Sequence, residues 1–425
     1  MNIFDQLLAD NQIPKFVRVR HEMDRGHIDD IEGAVAQAMQ REGTLDRIKP
    51  GDSVCITAGS RDVANIARVI RAICDQVKSV GAHPFIIPAM GSHAGAKAEG
   101  QRGIIEGYGV TEEAMGAPIR ATMDTEVIAH SKSGLEIHLD KYANAADFLI
   151  PVGRIKAHTD FRGEVESGIC KMLVIGMGKQ HGAYQCHKLG FKSMAANVKE
   201  FAGAIIEKKP NMFAIGLIEN AYHQTCRIEA IPAGRILEEE PPLLEYAKSR
   251  MAKVPFDQAD ILFVDETGKD ISGAGMDPNV TGRSPVLGIS RPFFQRIAVF
   301  DLTDKSHGNF GGLGSADVTT QRLYRKIDFE QTYPNGITAA EPLAVRLPAV
   351  MPSDRTAMQF ALRTATDCDW SKGPRIVWLK NTLSLSEFYI SEALIPDAEA
   401  LDNVTVVSEP MDVIFDEEGN VKELR

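Results

Sequence analysis

Between Pro50 and His93 the chain spells out one strand–helix–strand unit, and this unit restricts the fold more than any other feature. Pro50-Gly51-Asp52 is turn chemistry, and SVCITA after it is a short β-rich run. Asp62 then offers a helix cap, and Val63, Ile66, Ala67, Ile70, Ile73 and Val77 recur at helical spacing on one face. Gly81 fits the end of that helix. AHPFIIPAM reads as the next buried strand and runs directly into Gly91-Ser92-His93. Two neighbouring strands joined through a helix are parallel, and a parallel sheet needs cover on both faces.

Other segments repeat the alternation. TEEAMGA, from Thr111, has a helix-start signature, ADFLIPV is a strand ending at Gly153, and MFAIGLI from Met212 is another. At 425 residues the chain is too long for one ordinary core. The stretch EEEPPLLEYAKSRMAKVPFDQ, from Glu238, interrupts the pattern with charges and a Pro pair, and we read it as the linker. Beyond it, ADILFVDETG, QRIAVFDLTD and PRIVWLKNT look like strands of a second α/β domain. The expected fold class is therefore α/β with two α/β domains, the first a mostly parallel doubly wound sheet, and an active site in the cleft between them. The expected boundaries are 1–255, 256–405, and a tail 406–425 that could return to the first domain.

Charge and cysteine usage narrow the function classes. The net charge is −11 and no basic run appears, which counts against nucleic acid as a partner. The N-terminus lacks a charged region followed by an apolar core, so no signal peptide is expected. No apolar run reaches the roughly 18 residues of a membrane span. The six cysteines are scattered without a CxxC pair, which suits reduced thiols in the cytoplasm.

In open α/β sheets ligands bind beyond the carboxyl ends of the strands. Gly59, Ser60 and Arg61 follow SVCITA, Gly91-Ser92-His93 follow the second strand, and Gly153, Arg154, Lys156 and His158 follow ADFLIPV. One edge would thus gather arginine, lysine and two histidines. Arginine suits a carboxylate because its fork meets both oxygens. Two histidines suit opposed proton transfers near neutral pH. Lys171, inside SGICKMLVIGMGK, reads either as a lysine with its stem buried and its head wet, or as a buried amine available for covalent attachment. His181 and His187 are candidate metal ligands, without the spacing of a standard zinc motif. ISGAGMDPNVTGR and GLGSADVTT are glycine-rich loops but not phosphate-binding P-loops. Lys269 and Asp270 follow the strand ILFVDE and are placed to face the first domain.

Taken in order, ITAGSRD, AMGSHAGAKAEG and RIKAHTDFRGEVESGICK, with His187 sixteen residues after Lys171, resemble the lactate racemase family. These are nickel-pincer-dependent racemases and epimerases of 2-hydroxy acids. The resemblance covers residues 50–190 and extends only loosely beyond them. It implies a pyridinium-3,5-bisthiocarboxylic acid mononucleotide carrying nickel as cofactor. It implies that Lys171 tethers this group, that His187 ligates nickel, and that His93 and His158 are the acid/base pair. Arg61 would hold the substrate carboxylate; Lys269 is taken as a substitute for the second-domain lysine of the family. It implies a small hydroxy-acid substrate and transient contact with cofactor-synthesis enzymes; the second-domain Gln and Lys pattern that helps bind lactate is not legible here, so a substrate other than lactate is expected. The interval from His158 to Lys171 is longer than in lactate racemase itself, and His181 competes with His187 as ligand. Two other readings stand beside this one. One is a zinc- or iron-dependent hydrolase or lyase using His93, His158 and His187, and the other is a non-catalytic ligand-binding relative.

Overall fold

We describe the protein from a computed structural model, over residues 3–60, 63–284, 289–339 and 341–425. The fold is α/β, in two compact units. One spans Asp24–Met251, and the other joins Met1–Met23 to Ala252–Arg425.

In the unit Asp24–Met251 the crossover read from the sequence is present. Strand Ser53–Ala58 pairs in parallel with His83–Pro88 on one side and with Phe148–Ile150 on the other. Helix Ile66–Ser79 connects the first two and ends before Gly81, whose φ is +80°. Pro151 splits the third strand, and its continuation Val152–Arg154 pairs in parallel with Phe213–Glu219. Thr225–Pro232 closes that edge antiparallel. Successive residues feed opposite faces, as the two-residue period demands. Cys55, Phe85, Ile87 and Leu149 enter one core, and Val54, Ile56, Ile86, Phe148 and Ile150 enter the other. Both faces of the sheet are therefore covered.

The other unit holds an eight-stranded sheet. Ala349–Met351, Val318–Thr320, Phe293–Leu302, Gln258–Thr267 and Ile376–Leu379 run parallel in that order. Glu387–Ser391, Phe16–His21 and Val404–Val406 complete it antiparallel. This arrangement departs from the expected boundaries at both ends. The first residues do not stay with the first domain, because Phe16–His21 pairs with Glu387–Ser391. The tail does not return to it either. The hairpin Val413–Phe415 and Val421–Leu424 lies on helix Asp354–Thr364, where Val421 N–H donates to Asp354 Oδ2 at 2.9 Å and Arg355 covers the Phe415 ring. The expected linker is corrected as well. Ile236–Arg250 is a helix that accommodates Pro241 and Pro242, because Ile236, Leu243, Leu244 and Ala247 bury one apolar face. Among the described residues no helix is long and apolar enough to cross a membrane.

The second unit carries a titratable pair of its own. Burial pushes Asp265 and Asp354 up to about 6. A carboxyl whose pKa is raised on folding stabilises the fold while protonated, so that contribution is present below about 4 and lost as pH rises through 6. Both tryptophans of the chain, Trp370 and Trp378, lie in this unit, and Trp378 Nε1 donates to Asp265 Oδ1 at 2.6 Å. Urea unfolding followed by tryptophan fluorescence should show stability falling by up to about 3 kcal/mol between pH 5 and pH 8. Asp265→Asn, which keeps an acceptor for the indole, should flatten that slope.

Candidate active site

Gly59 and Gly91, each just beyond a strand end, lie against one helical segment. A Cβ at Gly59 would come within 3.3 Å of Met172, and one at Gly91 within 3.2 Å of Ile175, so neither position admits a side chain easily. The segment is irregular. It begins as helix Ile169–Lys171, widens into a π-helical turn over Met172–Gly176, and resumes as helix Lys179–His187. Single π-helical turns concentrate at functional sites.

His158 and Lys171 meet on this framework, with Lys171 Nζ 2.7 Å from His158 Nε2. His158 is buried, and burial holds its pKa well below the ordinary histidine value. Its Nδ1 accepts from Asp160 N–H at 2.9 Å. A neutral imidazole has one lone-pair nitrogen, so the ring proton is assigned to Nε2. The Nε2 edge of the ring therefore faces the Lys171 amine. Phe161 stacks on the imidazole at 4.2 Å and 29°, which fixes the plane of the ring.

His187, at the end of the same helical segment, has Nδ1 2.6 Å from the Ala183 carbonyl. That carbonyl can only accept, so Nδ1 carries the proton and Nε2 keeps its lone pair, the form in which imidazole ligates metals. Burial pushes the His187 pKa down, which also favours the neutral ring. His181 belongs to a different group. Its Nδ1 lies 3.5 Å from Thr125 Oγ1, which in turn meets His138 Nδ1 at 3.0 Å. His138 Nε2 is 3.0 Å from Glu136 Oε2.

The remaining expected residues are spread more widely. His93 is exposed and opens the short helix His93–Ala96, in which Ala94 and Ala96 take left-handed φ of 54°. Such strain is characteristic of sites where the surroundings dictate the backbone. Gln101 Nε2 ties this loop down by donating to the Gly91 carbonyl at 2.9 Å and the His93 carbonyl at 3.3 Å. Arg154, expected at the same edge, pairs with Glu219 at 2.6 Å on the neighbouring strand. Arg61 lies outside the described residues. Lys269 belongs to the other compact unit, where its Nζ donates to the Gly273 carbonyl at 2.6 Å. Among the described residues no three His, Cys, Asp or Glu side chains converge on a point that could hold a metal ion.

Three supporting groups were not legible from sequence. Glu166 is wholly buried beside His158, and Glu240 is wholly buried beside the start of the Lys171 helix. Glu240 Oε2 accepts from Cys170 N–H at 2.8 Å, and burial raises its pKa. Lys179 and Asp140 form an ion pair at 3.1 Å with neither side chain exposed. In each case the partner is remote in sequence or the motif has no recognised spacing, so pattern reading alone gives no signal.

No protein-family model and no curated protein matches this sequence. Among solved structures, the lactate racemase apoprotein from Thermoanaerobacterium thermosaccharolyticum is similar to it. The TM-score is 0.53 at 16% identity, over 86% of this chain and 93% of that one. A glycosyltransferase from Streptomyces sp. SF2575, at a TM-score of 0.17 and 8% identity, carries no structural argument. The first likeness establishes a shared fold across both compact units.

Proposed function

We propose that this chain is a cytoplasmic racemase or epimerase of a small 2-hydroxy acid, working with a nickel-pincer nucleotide. The observation that carries the reading is the contact between Lys171 and His158, set in a fold shared with the lactate racemase apoprotein. An amine held next to a neutral, tautomer-fixed histidine is suited to covalent attachment of a ligand. The donor set also fits the cofactor. A free metal ion needs several protein ligands, whereas a metal that arrives inside a pincer needs one imidazole, and His187 presents Nε2 for that purpose. The lack of three converging ligands among the described residues disfavours the zinc- or iron-dependent alternative.

In this proposal Lys171 anchors the nucleotide and His187 ligates nickel. When bound, the cofactor supplies the hydride acceptor that the protein lacks. The chain moves the proton of the substrate hydroxyl. His158 can give its Nε2 proton up toward a developing alkoxide while Nδ1 takes one from a protonated Asp160 carboxyl, so that no imidazolate forms. To accept a proton at Nε2, the ring must instead carry one on Nδ1, and the Asp160 carboxylate, 3.7 Å from Nδ1, is placed to receive it. His93 would serve the opposite face of the substrate carbon, exchanging acid and base roles with His158. Arg61 and Lys269 are assigned to the substrate carboxylate by the resemblance alone.

The test is metal content and activity together. Protein produced alongside the cofactor-synthesis enzymes should retain close to one nickel per chain and interconvert the enantiomers or epimers of a 2-hydroxy acid. His187→Ala should lose the nickel, and His93→Ala should keep it while losing activity. Nickel retained by His187→Ala, or activity retained by His93→Ala, would remove those assignments.

A further inference from the structure

The loop between the candidate base and the candidate anchor contains a buried charge that the proposed chemistry does not use. Residues 157–166 form an excursion closed at its base by a bridge, with Lys156 N–H donating to the Ser167 carbonyl at 2.8 Å and Ser167 N–H donating back at 3.3 Å. Regular structure is almost absent inside it. A loop of this kind places a side chain accurately only when something pins it.

Glu166 is that pin. Its side chain has no exposure, and a buried carboxylate is tolerated only when donors surround it. Four do so. His158 N–H donates to Oε2 at 2.7 Å, and Arg162 Nη1 donates to the same oxygen at 3.3 Å. Gly163 N–H donates to Oε1 at 3.5 Å, and Lys248, from helix Ile236–Arg250, reaches Oε1 at 3.0 Å. Arg162 Nη1 also donates to the His158 carbonyl. Both peptide groups of His158 are therefore tied to one carboxylate, one directly and the other through Arg162. With the peptide fixed, Asp160 N–H falls on Nδ1, and the Nε2 edge is left facing Lys171.

We propose that Glu166 is the positioning residue of this site: its carboxylate holds His158 by the backbone and so determines which ring nitrogen faces Lys171. The inference rests on the reading of His158 as the acid/base group and Lys171 as the anchor beside it. It also explains how a lengthened loop between them can still deliver the histidine to the lysine.

The test uses the full chain, free of cofactor and labelled with 15N-histidine. In the native protein the His158 ring should give two widely separated nitrogen signals, a protonated Nε2 and an unprotonated Nδ1. In Glu166→Gln, which places an amide N–H₂ among donors, and in Glu166→Asp, one methylene too short to span them, this fixed tautomer should be lost and the two signals should converge. Glu166→Asp keeps the negative charge opposite Lys248, and it carries the test if Glu166→Gln does not fold. A folded variant with lower thermal stability but unmoved His158 signals would make Glu166 merely structural and overturn the proposal. So would a native ring protonated on Nδ1. The measurement needs no nickel, so a failure of the cofactor reading would leave its outcome unchanged.

Discussion

His158→Gln is expected to give a folded protein whose hydroxy-acid interconversion is slowed by about 10²–10⁴-fold, the range a positioned proton-transfer group contributes. Glutamine fills a similar volume and leaves an amide near the Nε2 position, but it has no titratable nitrogen. The loss should appear in kcat rather than KM, because nothing places His158 on the substrate carboxylate. The loop should keep its shape, since Glu166 holds the peptide of residue 158 and not its side chain. Nickel retention should therefore survive while turnover falls. Equal losses of nickel and activity would instead make His158 a cofactor ligand.

Lys179→Met is expected to produce the largest loss of stability of any single change considered, about 3–5 kcal/mol. Lys179 and Asp140 are both without exposure and lie 3.1 Å apart. Burial pushes the lysine pKa down and the aspartate pKa up, so each ion depends on the other to stay charged. Asp140 also caps helix Lys141–Ala145 by accepting from Tyr142 and Ala143 N–H, and Lys179 donates to the Pro88 carbonyl. Three chain segments thus meet at one pair: the strand leading to His93, the strand Glu136–Asp140, and the helix carrying His187. Removing the lysine leaves a buried carboxylate that must either stay charged without a partner or take up a proton. Urea unfolding followed by circular dichroism measures the effect. The double variant Lys179→Met with Asp140→Asn should recover part of it, because no charge is then stranded. A change below about 1 kcal/mol in the single variant would mean that the pair is dispensable.

Local signals were the legible part of this fold. Ser53–Ala58 and His83–Pro88 form where expected, and the helix between them forms from Ile66 with Asn65 at its N-cap, whereas the expected cap, Asp62, lies outside the described residues. Phe16–His21 could not be assigned to its sheet, because its partner Glu387–Ser391 lies at the opposite end of the chain. The Pro pair misled for a related reason. Local propensity argues against a helix at Pro241-Pro242, and the apolar face of Ile236–Arg250 outweighs it. At the site, motif order singled out His158, Lys171 and His187, and the first two are in contact in the structure. The groups that support them were not. Glu166 is an ordinary acidic residue in a polar loop until Lys248 and the His158 peptide are seen around it.

Attachment of a nickel-bearing nucleotide to Lys171 is tested most directly by intact-mass spectrometry of the full chain. Protein made with the cofactor-synthesis enzymes and nickel should show one adduct of nucleotide mass. Peptide mapping should place it on Lys171, and Lys171→Ala should lack it. An unmodified chain that still binds nickel and interconverts hydroxy acids would contradict the anchor. An unmodified chain with neither nickel nor activity would contradict the proposed function as a whole.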